Sequence, residues 1–357
     1  MRVDQLIPAF HRGDAIGDTA FHLKQYLRSR GFSSEIFRLD CDKELEGESK
    51  PFSSFPAPGS QDVTILHYAL PSPLTQGLIN LSSKKVIIHH NITPPEFFVP
   101  YSLEMMSICQ AGRKELESLA PYVDLALADS EFNRQELLAL GFMRAEVFPL
   151  FVDFAKYERP ISRFIYDLFR DERTNVLFVG RIVPNKKIED LIKVIFYYKK
   201  YISPLVRLVI VGKTTSLPKY YQSLIRLADE FYLKPEEICF TGHISDEEMY
   251  ALYRASDIFL SLSEHEGFCL PLVESMVFDL PIVAFNSTAV PYTLDGAGIL
   301  IKHKRVDYVA ELAEIVAHKT ELRKKIIQGQ RQRLERFKRE QEEKFLFQNI
   351  ENLLRQK

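Results

Sequence analysis

Asn175-Val-Leu-Phe-Val179-Gly180-Arg181-Ile-Val-Pro-Asn-Lys186-Lys187 reads as a buried strand that stops on a glycine and passes into a basic loop. Leu208-Val-Ile-Val211-Gly212-Lys213 ends in the same fashion. Short continuous apolar runs bounded by glycine are what strands covered on both faces look like, and parallel strands are covered that way. Similar runs follow at 238–241, 258–261, 281–284 and 298–301, separated by helical patterns, so this half of the chain is a succession of βαβ units.

The same alternation extends toward the N-terminus. Strand candidates lie at 3–10, 34–39, 63–68, 85–89, 125–128 and 145–148, with helical stretches at 19–30 and 131–140 closed by Gly31 and Gly141. Residues 151–173 are polar and dotted with aromatics, contain Pro160, and read as a linker. The expected class is therefore α/β, with two Rossmann-like domains of parallel strands over 1–155 and 174–335. A Lys-, Arg-, Gln- and Glu-rich helix over 336–357 could pack back on the first domain. Open sheets of this kind bind ligands beyond the carboxyl ends of their strands, which is where chemistry is expected.

Composition sets the outer bounds. With 357 residues, 46% hydrophobic and 26% charged, the chain has enough material for two packed cores. Its 46 basic and 48 acidic side chains nearly cancel, which argues against a nucleic-acid partner. Cys41, Cys109, Cys239 and Cys269 are scattered and form no CxxC pair, as expected of a reducing, cytoplasmic compartment. No run approaches the roughly 18 apolar residues of a membrane span, and residues 1–10 lack a secretory pattern, so only peripheral membrane contact is left open.

The segment Ser261-Leu-Ser-Glu-His-Glu266-Gly267-Phe268-Cys269-Leu270-Pro271-Leu-Val-Glu274 carries the most chemistry. A strand ends near Ser261, Gly267 permits a tight turn, and Pro271 suits the first position of a helix. The amides of Phe268, Cys269 and Leu270 would then sit at a positive helix end, a ready phosphate site. Glu266 in the loop and Glu274 in the first turns could face one ligand with phosphates in the middle and hydroxyls at both ends. Taken alone, the same residues make an ordinary loop-to-helix junction in which Glu274 complements the helix dipole. Arg181 and Lys186 add a planar fork and a point charge, enough to neutralise a diphosphate leaving group.

With these residues in view, the chain resembles the retaining glycosyltransferases of family 4, which have the GT-B fold of two facing Rossmann-like domains with an interdomain cleft. Glu266 and Glu274 match the family's EX7E motif, within EGFCLPLVE, and Arg181 and Lys186 match its basic pair for the donor diphosphate. The resemblance implies that Glu266 contacts the transferred sugar, that Glu274 holds the ribose hydroxyls, and that the backbone near Gly267, Cys269 and Leu270 completes the phosphate cradle. It implies a glycine-rich loop at Gly13 and Gly17 that approaches the diphosphate. It also implies that His90 faces the sugar, with His67 as a lesser candidate. Lys187 stands where the family usually has glycine, and Tyr292 where many members have a carboxylate. Asp40-Cys41-Asp42 mimics a DxD metal motif without supporting context, so no metal and no cofactor are expected. The implied co-substrate is a nucleotide-diphosphate sugar. The implied acceptor is a carbohydrate or lipid-linked glycan, as in bacterial surface polysaccharide synthesis. A nucleotide-sugar epimerase, a phosphorylase or a non-catalytic binding scaffold would use a similar site.

Overall fold

The glycine-bounded apolar runs become parallel strands in a computed structural model that describes residues 2–11, 15–340, 348–350 and 352–353. Contacts divide the chain into two units. Unit 1 comprises Met1–Pro95, Glu104–Val152 and Glu340–Lys357; unit 2 comprises Glu96–Leu103 and Asp153–Arg339.

Among the described residues, unit 1 holds a sheet of seven strands: β1 (Val3–Phe10), β2 (Ile36–Cys41), β3 (Lys50–Pro51), β4 (Val63–Tyr68), β5 (Lys84–His89), β6 (Leu125–Ala128) and β7 (Ala145–Val147), in the order β3-β2-β1-β4-β5-β6-β7. Its main helices are α1 (Ala15–Ser29), α2 (Pro73–Ile79), α3 (Leu103–Leu119) and α4 (Glu131–Ala139). Unit 2 holds β8 (Thr174–Val179), β9 (Val206–Val211), β10 (Ile238–Gly242), β11 (Ile258–Ser261), β12 (Ile282–Phe285) and β13 (Ile299–Ile301), in the order β10-β9-β8-β11-β12-β13. Around it lie α5 (Arg163–Leu168), α6 (Ile188–Tyr201), α7 (Pro218–Glu230), α8 (Asp246–Ala255), α9 (Leu270–Val277), α10 (Val290–Leu294), α11 (Val306–His318) and α12 (Thr320–Glu340). Every β4 and β9 residue is buried, as expected for strands covered on both faces.

Three features depart from the sequence reading. Residues 151–173 are not a simple linker: from Asp153 they fold with unit 2, where Asp153 and Ser162 cap a short 3-10 turn and α5, and Ser162 N–H donates to Glu247 O at 3.0 Å. α1 begins at Ala15 rather than residue 19, which places Gly17 inside a helix. β3, two residues long and exposed, has no apolar run to announce it.

The C-terminal residues contribute to unit 1. Ile350 and Leu353 pack among Val3, Leu23, Leu27, Val63 and Val86, and Arg144 donates to the Asn349 side chain at 2.9 Å. No described helix is long and apolar enough to cross a membrane.

Candidate functional site

In unit 2 the strand order reverses between β8 and β11, and open sheets bind ligands beyond their carboxyl edge at such a switch point. The loops leaving those two strands carry Arg181 to Lys187 and Leu262 to Cys269, the two segments singled out in the sequence. Gly212 matters to this edge. A Cβ there would lie 1.9 Å from Gly180 O, so only glycine lets the ends of β8 and β9 lie this close.

The loop after β8 is tied to the loop after β11 rung by rung. Buried Asn185 donates through Nδ2 to His265 O at 2.8 Å, and its backbone carbonyl accepts from Glu264 N–H, also at 2.8 Å. Lys186 Nζ then meets Glu266 Oε2 at 2.6 Å, with side-chain exposures of 13% and 5%. Two residues expected to serve one donor thus satisfy each other's charge. Thr288 fixes Glu266 from behind: its hydroxyl accepts from Glu266 N–H at 2.8 Å and donates to Glu266 O at 3.0 Å. Arg181 is exposed and makes no ion pair among the described residues, leaving its guanidinium available.

Lys187 adopts the conformation that favours the glycine expected at its position. Its backbone is left-handed, with φ 53° and ψ 45°, the conformation glycine adopts at least cost. Its ammonium lies 3.5 Å from Glu189 and 3.4 Å from Glu264. Burial works against this charge, but the two carboxylates outweigh burial and hold the lysine above its ordinary range.

The helix start lies one residue earlier than expected. α9 begins at Leu270, Pro271 occupies its second position, and Cys269, left-handed at φ 69°, is the N-cap without a side-chain cap. Leu272 N–H reaches Cys269 O at 3.0 Å and Pro271 has no N–H, so the amides of Cys269 and Leu270 remain as the donors at this helix end. The Cys269 thiol is buried and pushed up, first by burial and then by the Glu266 charge, which makes it a poor nucleophile. Phe268 is also buried, with its ring 5.7 Å from that of Phe337.

Glu274 is on α9 as expected, and each of its carboxylate oxygens accepts from a tyrosine. Tyr157 donates to Oε1 at 3.1 Å and Tyr253 to Oε2 at 2.8 Å. Burial raises this carboxyl; the Lys156 charge and both phenols pull the other way without cancelling it. Neither tyrosine was evident beforehand, since Tyr157 lies in the supposed linker and Tyr253 sits in an unremarked helix.

The unit 1 candidates are placed differently. Gly13 lies outside the described residues. Gly17 is glycine because a Cβ would lie 2.4 Å from His11 O, a packing requirement of α1 rather than of a phosphate loop. His90 does not present a ring nitrogen to a ligand: its side chain is 1% exposed and both nitrogens are used within unit 1. Gln5 donates through Nε2 to Ala20 O at 3.1 Å, so its Oε1, 2.8 Å from His67 Nε2, must accept the His67 proton. Burial disfavours a second proton on His67, so its Nδ1 is a lone pair and accepts from His90 Nε2 at 3.0 Å. His90 Nδ1 lies 3.1 Å from each Asp129 oxygen, so both nitrogens of this ring are engaged. His67 is correspondingly held well below the ordinary histidine range, first by burial and then by the His90 charge. Lys24 of α1 is buried and donates to Glu48 O at 2.6 Å; Asp42 of the DxD-like run lies 3.0 Å from His11 Nδ1.

Comparison with known proteins accords with this geometry. Residues 163–333 match the family described as "Glycosyl transferases group 1". The serotype-specific mannosyltransferase WbdA of Escherichia coli is 30% identical over 116 residues, which are 32% of this chain and 14% of that protein. The GDP-mannose-dependent alpha-mannosyltransferase of Mycobacterium tuberculosis is 26% identical over 232 residues, 62% of this chain and 55% of that protein. The chain thus spans from a seventh to about half the length of these two relatives. The crystal structure of Anabaena Alr3699/HepE in complex with UDP-glucose superposes with a TM-score of 0.74 at 16% identity, covering 99% of both chains. That likeness shows the fold: two Rossmann-like units with parallel sheets, of the GT-B class.

Proposed function

We propose that this chain transfers a sugar from a nucleotide-diphosphate donor to an acceptor hydroxyl, with retention of anomeric configuration. The observation that carries the reading is the pairing of Lys186 with Glu266 at 2.6 Å, beside the unpaired Arg181 and the α9 amides, at the switch point of the unit 2 sheet. The match of residues 163–333 to glycosyl transferases group 1 supports it.

In this reading the donor diphosphate competes with Glu266 for Lys186, and the freed carboxylate takes up hydroxyls of the sugar. The acceptor oxygen attacks the anomeric carbon on the face from which the diphosphate departs. One carbon–oxygen bond forms, the bond to the diphosphate oxygen breaks, and the acceptor proton passes to the departing diphosphate. Arg181, Lys186 and the amides of Cys269 and Leu270 stabilise the growing charge, a preorganised arrangement that usually dominates such rate enhancements. No divalent ion and no cofactor are assigned to the step. Glu274 would hold ribose hydroxyls in place of the Tyr157 phenol. The relatives act as mannosyltransferases and the structural neighbour binds UDP-glucose, so GDP-mannose and UDP-glucose are the first donors to compare. The acceptor class is a carbohydrate or lipid-linked glycan at the cytoplasmic side of a membrane.

Thermal-shift titration with GDP-, UDP-, ADP- and dTDP-sugars tests the donor, since a true ligand stabilises by about 2.7 kcal/mol at 100 times its Kd. Lys186→Ala is expected to remove that stabilisation and to abolish transfer, with the ligand-free chain still folded but melting lower because Glu266 loses its partner. Transfer by Lys186→Ala at the wild-type rate would sink the assignment.

A further inference from the structure

Lys304 lies between β13 and α11, away from every motif read in the sequence, yet it reaches both loops of the candidate site. Its ammonium donates to Asp190 Oδ2 at 3.0 Å, to Leu262 O at 3.2 Å and to Glu264 Oε1 at 2.6 Å. Three acceptors exhaust an ammonium's three protons, so the group is fixed in direction as well as in charge. The same Nζ sits 4.9 Å from the Phe285 ring centroid, and the side chain is only 14% exposed.

The partners are what give this node its meaning. Asp190 belongs to the first turn of α6, which directly follows Lys186 and Lys187. Leu262 and Glu264 precede Glu266 on the other loop, and Glu264 also holds Lys187 at 3.4 Å. Lys304 therefore joins the element behind Lys186 to the loop behind Glu266, from a third direction. Asn185 bridges the two loops from within. Burial pushes the Asp190 carboxyl up, and Lys304 and Lys193 outweigh it and keep Asp190 below the usual carboxylate range.

We infer that Lys304 is a positioning residue, which sets the spacing of Lys186 and Glu266 by clamping Asp190, Leu262 and Glu264 together. Its kinetic consequence rests on the transferase reading above; its geometric consequence does not. Without the cation, Glu264 and Asp190 face each other across the loop pair with reduced compensation, and the Glu264 carboxylate is free to draw Lys187 and its neighbour out of register.

Residue-resolved acylation of lysine amines in the ligand-free full-length chain, read by mass spectrometry, tests the geometry directly. Lys304→Met keeps the aliphatic stem against Phe285 and deletes the charge. In that variant Lys186 should acylate about ten-fold faster than in the wild type, since a charge-assisted hydrogen bond no longer holds its ammonium steadily. Lys199, paired with Glu237 at the far end of α6, should not change. Lys304→Arg should restore most of the protection of Lys186. An unchanged Lys186 rate in Lys304→Met overturns the inference, and so does a rise shared by Lys199, which would mean general loosening. With a donor identified by the thermal-shift screen, Lys304→Met should lower kcat by about 10- to 100-fold with a smaller change in KM, because small misplacements of reacting groups act on the transition state. If the wild type turns over no nucleotide sugar, the transferase reading fails and the acylation result still decides the role of Lys304.

Discussion

At the scale of single residues, the unit 1 histidines show how one fixed acceptor dictates a proton inventory. The Ala20 carbonyl can only accept, so Gln5 donates to it, His67 donates to Gln5, and His67, kept neutral by burial, accepts from His90. His67 is neutral in this chain, whereas in the unfolded protein it titrates near 6.5. Below that pH the unfolded state binds a proton that the folded state refuses. Stability from this group is therefore complete above about 6.5 and falls as the pH drops, by up to about 1.4 kcal/mol per pH unit. Melting curves of unit 1 between pH 7.5 and 5.5 should fall more steeply for the wild type than for His67→Gln, which has no proton to gain. Parallel slopes would contradict the assigned polarity. The motif had marked His90 as a residue of interest, but a histidine's partners come from distant strands and cannot be read from its own neighbours in sequence. Lys186 and Glu266 were legible because each follows a strand end. Tyr157, Thr288 and Lys304 were not, because ordinary polar residues in loops acquire roles only through the fold.

Secondary-structure elements divide along the same line. Strands covered on both faces, such as β4 and β9, announce themselves by composition and were found nearly to the residue. The start of α1 was missed because Gly17 reads as a breaker, and only the approach of the His11 carbonyl shows why it is glycine in a helix. Gly17→Ala should destabilise unit 1 by about 1–3 kcal/mol, the range for forcing extra volume into a packed site, even though alanine is the better helix former. Chemical denaturation checks this, and a stabilised variant would show that α1 can move away at no cost. The start of α9 was shifted for a related reason. Pro at the second helical position is as permissible as at the first, and the left-handed Cys269 determines where the helix begins. Lys187 and Cys269 both hold conformations that favour glycine, one on each loop of the candidate site, as is common where backbone is bent for a ligand.

For the whole molecule, two successive α/β units follow directly from the sequence pattern, whereas the membership of the connecting segments does not. The chain passes from one unit to the other at residues 95–96, 103–104, 152–153 and 339–340. Ile350 and Leu353 are buried in unit 1, and burial of a large aliphatic side chain contributes about 1.5–3 kcal/mol. Ending the chain at Glu340 should thus destabilise unit 1 by several kcal/mol and leave unit 2 nearly unchanged. Hydrogen exchange resolves the two, with peptides of β4 reporting on unit 1 and peptides of β9 on unit 2. Equal protection of β4 in the full and shortened chains would rule out a structural role for the C-terminal residues. The return of the chain also has a consequence for biosynthesis. Unit 2 has all its residues once Arg339 has emerged from the ribosome, but unit 1 must wait for Ile350 and Leu353. The unit that is translated first is the last whose core can close, and until then its sheet depends on a partly open face.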